Sequence, residues 1–214
     1  MHFLSETLEK YVTDHTEDEP EILRELSRET HLKVLRPRML SGHFQGRALS
    51  ILSKIIYPKT VLEIGTYTGY STICLAEGLQ AGGKIHTIDI NEELENIQQK
   101  YFKKSGYADQ IVSYVGDATE IIPNMDAKFD LVFIDADKPN YCIYFDLIIE
   151  KMNPGGVILS DNVLWSGKVI EKDLDPNDIS ALTLIEYNKK IKEDPRVETV
   201  LFPIRDGLTI SRVL

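Results

Sequence analysis

Apolar and polar positions along this chain fall into blocks whose period switches repeatedly between that of a helix and that of a buried strand. Residues 3–36 read as helical, with Leu4, Leu8, Tyr11 and Val12 on one stripe and Ile22, Leu23 and Leu26 on another, broken by the acidic EDEP turn at Pro20. A loop over residues 36–46 then feeds an apolar-periodic helix ending at Pro58. From there the rhythm is regular. VLEI, KIHTIDI, IVSYV, FDLVFI and GVILSDN are short apolar runs of strand type, and TICLAEGL, NEELENIQQKYFKKSG and YCIYFDLIIEKM read as helices between them. NPGG is expected to stop the last of these helices ahead of the fifth strand. Strands alternating with helices predict a parallel sheet covered on both faces, with ligands gathered at the strand C-termini. The last third differs: a polar loop SGKVIEKDLDPND, the helix ISALTLIEYNKKIKED, and two apolar runs joined by IRDG. So short a turn permits an antiparallel hairpin but no right-handed crossover.

Composition narrows the class without changing the picture. The 214 residues, 43% hydrophobic and 27% charged, suit a single globular domain over 1–214, with 1–36 as a helical extension and 37–214 as the core. A net charge of -10 disfavours a sequence-independent hold on nucleic acid, which rests on Lys and Arg contacts to phosphate. Cys74 and Cys142 lie in apolar surroundings and are expected to be buried, reduced thiols. The N-terminus has acids where a signal peptide would be basic, and no run reaches the length of a membrane span. A soluble, cytoplasmic protein without membrane contact is the expectation.

The candidate chemistry sits at the predicted strand ends. In VLEIGTYTGYS, Glu63 closes a strand and Gly65 and Gly69 make a tight turn into a helix, where backbone N–H groups can approach a ligand. Dinucleotide spacing would need glycines at Tyr67 and Tyr70, so a pyrophosphate grip is disfavoured. The pattern resembles the first motif of the S-adenosylmethionine (SAM) methyltransferases. Asp89 ends the second strand at a spacing suited to ribose hydroxyls, although helix capping would also explain an acid there. Asp117 and Ala118 could frame an adenine edge. Asp135, Asp161 and Asn162 end the fourth and fifth strands, and two carboxylates with an amide oxygen favour Mg²⁺, Mn²⁺ or Ca²⁺ over zinc. Turn formation by Asp and Asn is the competing explanation. Lys138, three residues past Asp135, is placed to act as general base on a substrate hydroxyl, against the solvated surface position usual for lysine. His43, alone in its loop, reads as a packing residue rather than a base.

Taken together, VLEIGTYTGYST, HTIDIN, FIDADKPNY, LSDNVLWSGKV and PIRDGLTISRVL resemble the caffeoyl-CoA O-methyltransferases and their bacterial relatives, with catechol O-methyltransferase more distant. The likeness runs from about Arg36 to the C-terminus. It implies the class I, Rossmann-like methyltransferase sheet, mostly parallel with an antiparallel C-terminal strand and helices on both faces. It implies SAM as cofactor, contacted by Met39, Ser41, Glu63, Gly65, Thr66, Tyr67, Ser71, Asp89, Asp117, Ala118, Asp135 and Asp137. It further implies a divalent cation, Mg²⁺ foremost, on Asp135, Asp161 and Asn162, with Lys138 as catalytic lysine. Lys138, Trp165 and Ser166 would meet the substrate, a small phenolic acceptor with neighbouring hydroxyls, in a homodimer. Ser166 stands where plant members have an asparagine, and MLSGHFQG departs from their D-E-G-Q loop at His43 and Phe44. Two other readings share the fold: a tRNA hydroxyuridine O-methyltransferase, and a SAM-binding protein without catalysis.

Overall fold

In a computed structural model, residues 5–214 are described. Seven strands form one sheet in the order β3-β2-β1-β4-β5-β7-β6. Contacts divide the chain into two compact units, Glu6–Asp117 and Ala118–Leu214.

The first unit carries α1 (Glu6–Asp14), α2 (Glu21–Lys33), α3 (Gly42–Ile56), β1 (Thr60–Ile64), α4 (Tyr70–Ala76), β2 (Lys84–Asp89), α5 (Glu95–Ser105) and β3 (Ile111–Val115). β2 pairs in parallel with both β1 and β3. Val61, Leu62, Ile64, Ile85 and Ile88 are buried, as continuous apolar strands in a sheet covered on both faces must be. The two N-terminal helices differ in kind. α2 buries Leu23 and Leu26 and bonds Thr30 Oγ1 to Thr68 Oγ1 at 3.1 Å, whereas α1 buries no residue, with Leu8 and Tyr11 exposed. Leu4, read on the same stripe, lies outside the described residues.

The expected loop over 36–46 is shorter than its glycines suggest. A single 3₁₀ turn, Pro37–Met39, leads into α3, which starts at Gly42 and takes in His43, Phe44, Gln45 and Gly46. Gly46 is a packing residue: a Cβ there would sit 2.5 Å from Tyr70 Cε1 and 3.0 Å from Cys74 Sγ, so α3 and α4 meet only because it has none. His43 Nε2 pairs with the Glu17 carbonyl at 2.7 Å.

The second unit carries α6 (Ala118–Ile121), β4 (Phe129–Ile134), α7 (Tyr141–Ile149), β5 (Met152–Asp161), α8 (Ile179–Glu193), β6 (Val197–Phe202) and β7 (Leu208–Val213). β4 and β5 run parallel, and β7 lies antiparallel to both β5 and β6, so the predicted hairpin is present. NPGG does not separate α7 from β5. The strand begins at Met152 and carries Asn153 to Gly156 as an irregularity, where the register moves from Phe129↔Met152 to Leu131↔Val157. Glycine at φ +78° in position 155 lets the strand bulge without breaking. Cys74 is buried as expected, but Cys142 is only half-buried; both are free thiols. Among the described residues no helix is long and apolar enough to cross a membrane.

Candidate functional site

In the first unit the turn after β1 is held by the end of β2. Gly65 N–H donates to the Ile88 carbonyl at 2.9 Å and Tyr67 N–H donates to Asp89 Oδ2 at 2.6 Å. Tyr67 takes the left-handed conformation (φ +49°), and Gln98 Nε2 donates to its carbonyl at 2.7 Å. Gly69, at φ +89°, closes against Phe102, whose Cε1 a Cβ would meet at 2.5 Å. Asp89 accepts from Asn91 N–H at 2.9 Å with its other oxygen. Burial pushes its carboxyl above the usual range, and these N–H bonds oppose the rise without cancelling it.

Glu63 is fully buried. Its Oε2 accepts from Thr72 Oγ1 and from Thr87 Oγ1, each at 2.5 Å, and Thr66 Oγ1 lies 2.5 Å from Thr87 Oγ1. The threonine chain ties β1, β2, the turn and α4 together. Thr72, Thr87 and Gln98 were not singled out from the sequence, where isolated hydroxyls and amides carry no periodic signal. Ser41 and Ser71 are buried, Met39 is exposed at the end of the 3₁₀ turn, and Asp117 is exposed after Gly116. So Glu63, Gly65, Thr66, Tyr67 and Asp89 converge through their own hydrogen bonds.

In the second unit the register Ile134↔Ser160 makes Asp135 and Asp161 the next residues on two adjoining parallel strands, about 5 Å apart in chain spacing. Asp161 is buried and Asp135 half-buried. Asn162 follows in the left-handed conformation (φ +58°), which asparagine tolerates better than most residues, and its N–H donates to Asp161 Oδ1 at 2.9 Å. Its side-chain amide makes no hydrogen bond to another described residue. Among the described residues no three His, Cys, Asp or Glu side chains are placed to hold a metal ion; the set here is two acids and an amide.

Lys138 is no surface lysine, with 6% of its area exposed. The 3₁₀ turn Lys138–Asn140, with Pro139 in its first turn, folds it back so that Nζ donates to Asp135 Oδ1 at 3.2 Å and to Tyr141 Oη at 2.6 Å. Tyr141 has no exposed surface, and burial holds its phenol well above its ordinary pKa, with Asp135 and Asp161 adding to the rise. Asp137 turns elsewhere, accepting from Tyr144 Oη and, at 2.7 Å, from Asn140 Nδ2. Ala118 is buried at the start of α6.

Trp165 (φ +46°), Ser166 (φ +55°) and Gly167 (φ +85°) form a kinked turn. Asp206 holds it, accepting from Ser166 N–H with its carboxylate and from Leu164 N–H, at 2.9 Å, with its carbonyl. Asp178 accepts from Lys168 Nζ, just beyond the turn. The exposed Ser166 is thus presented on a fixed loop. Asp206 and Asp178, unmarked by sequence reasoning, are what fix it.

The O-methyltransferase family model matches residues 13–214. Caffeoyl-CoA O-methyltransferase 1 of Eucalyptus globulus is 37% identical over 91% of this chain and 82% of its own length, and caffeoyl-CoA O-methyltransferase 2 of Petunia hybrida is 35% identical over 97% and 90%. Among solved structures, the O-methyltransferase from Bacillus cereus in complex with SAH superposes with a TM-score of 0.89 at 29% identity, covering 97% of both chains. The SAH-bound Podospora anserina methyltransferase PaMTH1 superposes with the same TM-score at 28% identity, over 100% of this chain and 98% of that one.

Proposed function

The chain belongs to the O-methyltransferase family, and we propose that it transfers the methyl group of SAM to one oxygen of a small phenolic acceptor with neighbouring hydroxyls, with a divalent cation assisting. The observation that carries this reading is a buried lysine beside an acid at the end of β4, next in register to a second acid at the end of β5. Two carboxylates and an unengaged amide fit a hard cation of the Mg²⁺ type, which keeps positions for water and substrate oxygens. Asp135, Asp161 and Asn162 would hold it. When bound, SAM supplies an electrophilic methyl group, and the cation Lewis acidity that eases loss of a phenol proton.

The remaining work falls to this chain. Lys138 Nζ would take the hydroxyl proton of the acceptor as that oxygen receives, by direct displacement, the methyl group that SAM supplies. Asp135 orients the amine. On the cofactor side, Asp89 is the acceptor suited to ribose hydroxyls, since a carboxylate with two oxygens retains lone pairs beyond the two N–H bonds it already accepts. Glu63 acts by holding the turn through Thr72 and Thr87.

Mass spectrometry of products tests the reading. The protein is incubated with SAM and Mg²⁺ and a panel of catechol, a caffeoyl thioester, a monophenol and bulk tRNA. A single added methyl on the vicinal diols alone is expected. Methylated tRNA with untouched diols would move the protein to RNA modification, and SAM binding without any methylated product would leave a non-catalytic SAM protein.

A further inference from the structure

We infer that Tyr141 is a positioning residue for Lys138, fixing which direction of the amine remains open to the substrate proton. The inference rests on the reading of Lys138 as the base. It concerns a residue that ends the motif FIDADKPNY and opens the following helix, and to which the sequence assigns no role.

The argument is one of hydrogen-bond polarity. Tyr141 Oη lies 2.8 Å from the Asp161 carbonyl and 3.2 Å from the Ile134 carbonyl. Carbonyl oxygens only accept, so the single phenolic hydrogen is committed to the ends of β4 and β5. Toward Lys138 the phenol can then act only as acceptor, and Nζ donates to it across 2.6 Å. A second donation runs to Asp135 Oδ1 at 3.2 Å. A neutral amine has two hydrogens and one lone pair. With both hydrogens placed, the lone pair is left in the one uncommitted direction, which is the condition a general base must meet to receive a proton.

The Tyr141 ring meets that of Tyr187 edge-on at 5.3 Å and 79°, a contact of rings alone. Tyr187 Oη is bonded to Ser160 Oγ at 2.5 Å, not to Tyr141 or Lys138. Phenylalanine at 141 would keep the ring and remove the acceptor, leaving one amine hydrogen free to turn and the lone pair without a fixed direction.

The experiment is a double-mutant cycle on the full chain, with SAM, Mg²⁺ and a catechol that gives product. Lys138→Ala lowers kcat by roughly a hundredfold or more. Tyr141→Phe is expected to lower kcat by about tenfold while KM for acceptor and SAM stays within about twofold, and to add nothing in the Lys138→Ala background. Tyr187→Phe is the packing control: it removes a buried hydroxyl from the same cluster without touching Lys138, and should leave kcat unchanged at a comparable loss in melting temperature. Tyr141→Phe at full kcat overturns the inference. So does an effect that multiplies with Lys138→Ala, or an equal fall in kcat from Tyr187→Phe. If Lys138→Ala itself retains kcat, the assignment of the base fails first and the role of Tyr141 falls with it.

Discussion

Asp89 accepts the N–H of Tyr67 with one oxygen and that of Asn91 with the other, so one carboxylate clamps the turn after β1 and closes the turn that leaves β2, while the 3₁₀ turn Glu92–Leu94 that follows is capped by Asn91, whose Oδ1 accepts from Glu93 N–H. Of the two roles the sequence offered Asp89, ribose binding and helix capping, the second falls to Asn91, and the clamp on the turn after β1 was not readable from spacing. Asp89→Ala should weaken SAM binding by about tenfold or more, the worth of one or two charge-assisted hydrogen bonds, with a modest fall in melting temperature. Isothermal titration of SAM checks it, and unchanged affinity would move ribose recognition to another residue. Glu63 shows what spacing cannot supply. Its position at a strand end was legible, but its partners Thr72 and Thr87 come from α4 and β2, and nothing in a single sequence announces which hydroxyls a buried acid will meet. Tyr141 was hidden differently: within YCIYFDLII every aromatic looks like core, and this one is core with a working hydroxyl.

Between α3 and α4 the contact is bonded as well as packed. Arg47, buried, reaches Glu77 at 2.7 and 3.1 Å, while Ser50 and Lys54 donate to the same carboxylate at 2.6 and 2.8 Å. Burial alone would raise the Glu77 carboxyl, but the bonds from Arg47, Lys54 and Ser50 outweigh it and hold it at about 2. A carboxyl depressed from about 4.5 to about 2 contributes stability that is complete above pH about 4.5 and is lost as pH falls towards about 2. Glu77→Gln should therefore destabilise the fold at neutral pH by about 2–3 kcal/mol and flatten the acid limb of stability against pH in that window. Denaturant unfolding across the acid range measures both; an unchanged acid limb would mean that the pair contributes no net stability. At this scale the sequence reading was sound wherever period decided, since all five parallel strands and the final hairpin stand where the apolar runs end. It failed where glycine was taken as a sign of loop. Gly46 is there for helix contact and Gly155 for a bulge, and both uses depend on neighbours distant in the chain.

For the whole molecule, the mainly parallel sheet and its antiparallel final hairpin followed from alternating elements plus one turn too short for a crossover, whereas the strand order was not legible in the sequence. The net charge of -10 bears on the proposal at the same scale, because it disfavours a general electrostatic hold on a polyanion such as tRNA. The central claim, that methyl transfer from SAM to a vicinal diol needs a hard cation on Asp135, Asp161 and Asn162, is tested most directly by the initial rate of catechol methylation in chelator, in restored Mg²⁺, and for Asp135→Ala. The account predicts that the rate vanishes in chelator and returns with Mg²⁺. It predicts that Asp135→Ala, still folded, stays inactive at any Mg²⁺ concentration. A full rate in chelator, or a fully active Asp135→Ala, would contradict it.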